Sequence, residues 1–501
     1  MKSPAVKILA LSIVLGSFLR LYKLNTNYVW FNDTFFRLTP ALEILQGVPV
    51  KYDSSMIGVT GLGLICFSIS KDLYPVVLAV CLAGILSIPL SYYFVLKMTN
   101  DERIAALAAL FVSINPTLVA LSKVLIWDIF VVFFFLVSGI IFLSLKEKPG
   151  TVKGVLLGIS LFLLFSFKLP NVLFAIVFYL FLFYFRKFSI PKSKDIIASL
   201  AVYGALLGVF FYSFPNQLGH FVRGGGPNFF IKEDYLSLIV ATLKQLISPI
   251  ASPRTSMAFS FDMGIDIFFI LGMISIIPLI FYFKDIKKVD ELFSVSVVLV
   301  ISLFYVNFSG WSHRYIAAPL VLMLFFVSYG IIKMREKSRI MPFVVVGVCI
   351  FASLGSSVIM VYDWTSDSSL AENHVATPLS LFDSVTEMAE IEGVDAIASS
   401  YGRAFKFYYL SGDLKSEIID FYSLEEAEVE KEIRNAITNG SKVWYVEGWP
   451  DVFVFEGKNT RTYKKIIDDS FLLKNYYISR EMIYLSDITY PSLTIYEVEN
   501  K

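Results

Sequence analysis

Cysteine, histidine and charge are all scarce in this sequence, and each shortage excludes something. The three cysteines, Cys66, Cys81 and Cys349, sit inside apolar runs. They are small buried hydrophobes, and they supply neither a disulfide framework nor a thiolate metal site. The histidines, His220, His313 and His374, lie too far apart in sequence to give a metal-ligand spacing. No glycine-rich phosphate loop occurs; Gly224-Gly-Gly-Pro227 reads as a flexible turn. Charged residues make up 17% of the chain, against about 25% in soluble domains. Hydrophobic residues fill 56% of its 501 positions, and mean hydropathy is +0.67. These values describe a polytopic membrane protein.

The near-zero net charge hides a split, +13 over residues 1–362 and −12 over 363–501. The first part is expected to be a transmembrane domain, the second an acidic α/β domain in water. Spans of about 20 apolar residues are expected near 6–22, 75–96, 104–122, 128–145, 154–169, 171–186, 196–213, 264–283, 292–308, 316–333 and 340–361. Lys2 and Lys7 precede the first run, and no small-x-small cleavage site follows it, so it reads as an uncleaved span. The apolar segment 56–70 is short and carries Gly58, Gly61 and Gly63. If it crossed, every later helix would flip. The basic clusters at Lys97/Arg103, Lys146–Lys153, Arg186–Lys194, Lys284–Lys288 and Lys333–Arg339 all fall inside only if it does not. The expected topology is therefore eleven spans, a cytoplasmic N-terminus and an extracytoplasmic C-terminal domain, with outer loops at 23–74 and 214–263.

Charges left on the outer side come from distant parts of the chain: Asp33, Arg37, Glu43, Asp53, Lys123, Asp128, Arg223, Lys232, Arg254, His313 and Arg314. Ions at a membrane edge are costly to keep and tend to be functional. Asp33 lies in Tyr28-Val-Trp-Phe-Asn-Asp-Thr-Phe-Phe-Arg37, framed by Trp30, Phe31, Phe35 and Phe36. A carboxylate in aromatic surroundings can have a raised pKa and act as a base, or hold a cation. Phe35, Leu38, Leu42 and Leu45 have helical spacing, which predicts an amphipathic helix over Thr34–Gln46 in the membrane interface. Asp33 would sit at its N-terminus, where a carboxylate is favoured.

Residues 363–501 alternate between two periods. Strands are expected at 394–400, 416–422, 442–448 and 492–499, with a pair inside 472–486. Helices are expected at 378–391, 402–410, 424–438 and 459–468.

Four stretches resemble the multispanning GT-C glycosyltransferases: the protein O-mannosyltransferases, the aminoarabinose transferases of lipid A and the RgtA/B/C/D-like group. Phe18-Leu-Arg-Leu-Tyr-Lys23 closes the first span as the family's Leu-Arg-Leu/Phe stretch does. Trp30-Phe-Asn-Asp33 occupies the place of the family's first-loop acidic pair. Asn115-Pro116, Ser122-Lys123 and Asp128 follow the family's order of Asn-Pro, Ser-Arg and Asp. His313-Arg-Tyr315 with Pro319 is similar to its late Arg-Tyr helix. The chain departs at Thr34, where the family has a second acid, at Lys123, where it has Arg, and in lacking a Pro-Pro stretch. Trp444-Tyr-Val-Glu-Gly448 echoes the Trp-Trp-Asp-x-Gly of oligosaccharyltransferases only faintly and reads as a buried strand.

The resemblance implies transfer of a sugar from a polyprenyl-phosphate donor to a protein, lipid or glycan acceptor hydroxyl outside the membrane. Asp33 would be the base. Asp128 would orient its surroundings, bind acceptor or hold a cation; equally, it would cap a helix. Lys123, His313 and Arg314 would bind the donor phosphate, although Lys123 also suits snorkelling. Arg37, Trp30 and Tyr315 would support them. The one candidate cofactor is a divalent metal ion, which has only scattered carboxylates to support it. Two other readings compete. A transporter or lipid flippase would show internal repeats and midplane charges, which the sequence lacks. A non-catalytic scaffold would fit the missing second acid. The acidic domain is expected to recognise the acceptor.

Overall fold

The computed structural model describes residues 3–24, 28–29, 31–48, 57–168, 171–185, 193–213, 250, 267–285, 317–363, 377–399, 402–420, 426–448, 461–465 and 493–500. The chain opens with α1 (Pro4–Leu21), a two-residue strand β1 (Tyr28–Val29), α2 (Phe31–Leu45) and α3 (Ile57–Phe67). Then follow α4 (Tyr74–Thr99), α5 (Glu102–Ile114), α6 (Pro116–Leu121), α7 (Asp128–Glu147), α8 (Thr151–Phe167), α9 (Val172–Phe185) and α10 (Lys194–Ser213). Helices α11 (Ile267–Gly272) and α12 (Ile276–Asp285) flank a 3-10 turn, and α13 (Ala317–Met334) and α14 (Met341–Asp363) follow. Among the described residues, six helices are long and apolar enough to cross a membrane: α1, α4, α7, α10, α13 and α14. The protein is an integral, multi-pass membrane protein.

Helix α13 packs against α5, α7, α12 and α14 and is buried along nearly its whole length. Helices α8 and α10 touch through their backbones. A Cβ on Gly154 or Gly158 would collide with the carbonyls of Asp195 or Ser199, so this small-xxx-small pair sets the close approach.

The eleven-residue α3 is about 16 Å long, half the thickness of a hydrocarbon core. It packs on α2, α4 and α8. By its length, α3 is too short to cross a hydrocarbon core as a helix. Two expected spans are broken. The stretch 104–122 is α5 and α6, because Pro116 has no N–H to continue the ladder and Asn115 turns to an extended conformation. The stretch 264–283 is interrupted by the 3-10 turn Met273–Ser275. The expected span 292–308 and, but for residue 250, the loop at 214–263 lie outside the described residues.

The C-terminal part has β2 (Thr377–Pro378), α15 (Leu379–Glu392), β3 (Ala396–Ser399), α16 (Gly402–Ser411), β4 (Glu417–Asp420), α17 (Glu426–Thr438), β5 (Val443–Gly448), β6 (Arg461–Lys465) and β7 (Leu493–Asn500). Five strands make one sheet in the order β4-β3-β5-β7-β6. Parallel neighbours need crossovers, and α16 and α17 provide them for β3, β4 and β5. Strands β7 and β6 are antiparallel. One expectation fails here. Residues 459–468 were expected to be a helix, but Arg461–Lys465 is a strand paired to β7 from Arg461↔Asn500 to Lys465↔Tyr496. A five-residue segment with adjacent Thr462 and Tyr463 gains its hydrogen bonds from the sheet, which outweighs a weak helical period. The expected strand pair within 472–486 lies outside the described residues. Trp444 is fully buried in the central strand β5, which leaves the Trp444–Gly448 stretch as sheet core.

Helix α2 also differs from its expectation. It starts at Phe31, and it is not a helix lying bare in the interface. Phe35, Leu38, Thr39, Ala41, Leu42 and Glu43 are buried, because α16 of the C-terminal domain covers one side and α3 another.

Candidate active site

The end of the bundle where α1 stops and α7 begins is organised by the break at Asn115-Pro116. Removing the Pro116 N–H leaves the Val112 carbonyl without its helical donor, and the extended turn of Asn115 frees the Ser113 and Ile114 carbonyls. Buried polar groups need partners, and the fold supplies them from distant helices. Arg20 Nη2 donates to the Val112 carbonyl at 3.2 Å and Nη1 to that of Ser113 at 2.8 Å. Its Nε donates to Ser122 Oγ at 3.1 Å. Ser353 Oγ on α14 donates to the Ile114 carbonyl at 3.0 Å. Asn115 Oδ1 accepts from the Leu118 N–H at 3.1 Å and starts α6. Gly84 makes room for this network, since a Cβ there would strike Ser122 and approach Arg20 Nε to 3.0 Å.

Lys123 follows directly. It is buried, and its ammonium donates to the Tyr22 carbonyl at 2.6 Å and the Arg20 carbonyl at 3.4 Å. It thus caps the C-terminal end of α1, where carbonyls favour a cation. Burial pushes its pKa down, to about 8. Asp128 is the first residue of α7 and makes no cap; the N-cap position is Trp127, without a side-chain bond. Its carboxylate is instead paired with Lys168 at the end of α8, both side chains being nearly buried. Below them Phe130 stacks on Phe167 with ring centres 4.7 Å apart, which fixes the two helix ends together.

Helix α2 is tied to the same end. Thr34, at the position of the missing second acid, is buried, and its hydroxyl donates to the Leu125 carbonyl at 2.8 Å. Residues 33–34 and the 122–128 turn are therefore neighbours. Asp33 lies in the first turn of α2, with half-buried Arg37 one turn later; the backbone of Asp33 is described and its side chain is not. Trp30, His313, Arg314 and Tyr315 lie outside the described residues.

Three participants have roles that the sequence does not show. Arg20 stands in the Phe18-Leu-Arg-Leu-Tyr-Lys23 stretch, with nothing to mark the Asn115-Pro116 break as its partner. Nothing in the sequence marks Lys168 as the partner of Asp128. Glu43, one of the expected outer charges, is fully buried against α16. Among the described residues no cluster of three His, Cys, Asp or Glu side chains forms a metal site. Asp128 already has its counter-charge, so a cation there would have to displace Lys168.

Residues 73–209 match the family model of dolichyl-phosphate-mannose-protein mannosyltransferase. That segment contains Lys123, Asp128 and Lys168. No curated protein matches the chain in sequence. Among solved structures, ArnT from Cupriavidus metallidurans bound to undecaprenyl phosphate is similar with a TM-score of 0.58 at 10% identity, over 98% of this chain and 97% of that one. Its apo state gives a TM-score of 0.59, also at 10% identity and with the same coverage. The archaeal oligosaccharyltransferase AglB from Archaeoglobus fulgidus, in complex with an inhibitory peptide and a dolichol-phosphate, gives 0.54 at 12% identity, over 89% of this chain and 69% of that one. At such identities the likeness is one of fold: the chain has the GT-C fold of membrane glycosyltransferases.

Proposed function

We propose that this GT-C-fold chain is a membrane glycosyltransferase. It moves a sugar from a polyprenyl-phosphate donor to an acceptor hydroxyl at the membrane face that carries the C-terminal domain. The observation that supports this most is the site's place in the fold. The first turn of α2 meets the 122–128 turn through Thr34 and Leu125, inside a fold shared with a protein bound to undecaprenyl phosphate.

The chemistry divides by residue. A lipid donor enters sideways from the bilayer, so the enzyme belongs in the membrane. Its leaving group is a phosphate, which needs cations. Lys123, His313 and Arg314 are assigned that role, Arg for its bidentate fork. The acceptor hydroxyl must lose a proton as it attacks the anomeric carbon, and Asp33 is the general base. Asp128 acts with Lys168 as a fixed pair that shapes the floor beside Asp33. Arg37, Trp30 and Tyr315 support the site. A divalent ion is not needed for this scheme. We place the N-terminus in the cytoplasm and the C-terminal domain outside, following the basic loops.

The test is sugar transfer in membranes from a panel of radiolabelled polyprenyl-phosphate sugars, comparing wild type with Asp33→Asn. A general base contributes roughly 10²–10⁴-fold, so the variant should lose transfer by about that factor with one donor. Undiminished transfer in the variant would remove Asp33 from the role of base while keeping the reaction class.

A further inference from the structure

The segment that carries Asp33 is held on both sides by the C-terminal domain. Before Asp33, β1 pairs antiparallel with β2, Tyr28 opposite Pro378 and Val29 opposite Thr377. After it, α2 lies on α16. Phe35 is fully buried and meets Phe382 and Phe407 with ring centres 5.4 Å away from each. Thr39 Oγ1 donates to the Arg403 carbonyl at 3.3 Å. Glu43, with no exposed surface, is paired with Lys406 and lies 3.8 Å from Arg403 Nη1. Gln46 Nε2 donates to the Leu410 carbonyl. Phe35, Thr39, Glu43 and Gln46 follow helical spacing, so one face of α2 is committed to this domain.

We infer that residues 377–399 and 402–411 position the Asp33 helix for transfer, with Glu43, Arg403 and Lys406 as positioning residues. This rests on the reading of Asp33 as the base. A buried carboxylate is held only in company with its cations, and Glu43 sits ten residues, nearly three helical turns, after Asp33. Pro40 lies between them and removes a ladder bond, so Glu43 anchors the end of α2 while Phe35 and Thr39, on the Asp33 side of Pro40, carry that hold back to Asp33. Holding a reacting group in place governs rate far more than binding. The consequence differs from acceptor recognition. Loosening this contact should lower kcat and leave the acceptor KM alone.

The experiment uses the full chain in nanodiscs, with Lys406→Met, Lys406→Arg and the milder rim variant Gln46→Ala. Transfer kinetics and amide hydrogen exchange over Phe31–Leu45 are measured together, with exchange in α4 and α5 as the control for folding. Lys406→Met should lower kcat at least tenfold, keep both KM values within twofold, and speed exchange in α2 but not in α4 or α5. Lys406→Arg should restore most of the rate, and Gln46→Ala should give a smaller loss of the same kind. Unchanged exchange in α2 would overturn the inference, with or without measurable transfer. So would a faster α2 with kcat within twofold of wild type, or a raised acceptor KM at constant kcat. Asp33→Asn is run in parallel. If it keeps full activity, the base assignment fails on its own, and the exchange data still decide whether Lys406 holds α2.

Discussion

Buried cations are treated differently in two regions of this molecule. Where α1 ends, Arg20 and Lys123 are bonded to carbonyl and hydroxyl oxygens, which carry only partial charge. Where α2 meets the C-terminal domain, Lys406 and Arg403 face the carboxylate of Glu43. The first arrangement satisfies hydrogen bonds but gives neither cation a carboxylate; in the second, Glu43 offsets one of its two cations and serves as a fastener. The pair of Asp128 and Lys168 lies at the first end but is of the second kind, adding rigidity without net charge. An uncancelled positive field in a water-poor site suits a phosphate leaving group, because fixed charges need no reorganisation as the reaction proceeds. The contrast supports placing donor phosphate beside Lys123 and treating the α2 junction as mechanical.

Three substitutions sharpen this contrast. The largest effect is expected for Lys168→Met, which leaves Asp128 charged, buried and alone. Removing one partner of a buried pair costs about 3–5 kcal/mol. Thermal unfolding of the purified protein should show that loss, and Asp128→Asn in the same chain should recover much of it. A double variant no more stable than Lys168→Met would show that the pair is not coupled. Next comes Arg20→Met, which strands the Val112 and Ser113 carbonyls. Each unsatisfied group costs about 1–3 kcal/mol, so a loss of about 3 kcal/mol is expected by the same measurement. Since Arg20 is fully buried, a stable variant would mean that α5 closes its last turn some other way. The smallest loss of stability belongs to Lys123→Met, about 1–2 kcal/mol for its carbonyl bonds. Its main effect should be kinetic, a rise in donor KM of about tenfold that Lys123→Arg reverses. An unchanged donor KM would confine Lys123 to capping α1.

Much of the architecture was legible because it depends on local pattern. Long apolar runs mark α1, α4, α7, α10, α13 and α14, and each matches an expected span. In the acidic domain the strands at 396–399, 417–420, 443–448 and 493–500, and the three helices at 379–392, 402–411 and 426–438, fall where the period changes. The site was legible only in part. Lys123 and Asp128 stood out as charges at the edge of apolar runs, but their partners did not. Tyr22 and Lys168 are 101 and 40 residues away from them. Nor did the sequence show that the apolar face of α2 is covered. An amphipathic helix looks the same whether lipid or protein covers its apolar face.

By itself, then, the sequence determined that this is a multi-pass membrane protein with an acidic mixed α/β end, and roughly where each helix runs. Burial of apolar surface and the period of the backbone act over a few turns, so a linear pattern records them. The tertiary structure alone decided that Pro116 breaks a helix whose carbonyls Arg20 and Ser353 then satisfy. It also decided that Asp128 answers to Lys168, and that Glu43 is buried beneath Arg403 and Lys406. A buried charge or an orphaned carbonyl must be matched, but the match is made in space, by whichever helix the fold brings within about 3 Å.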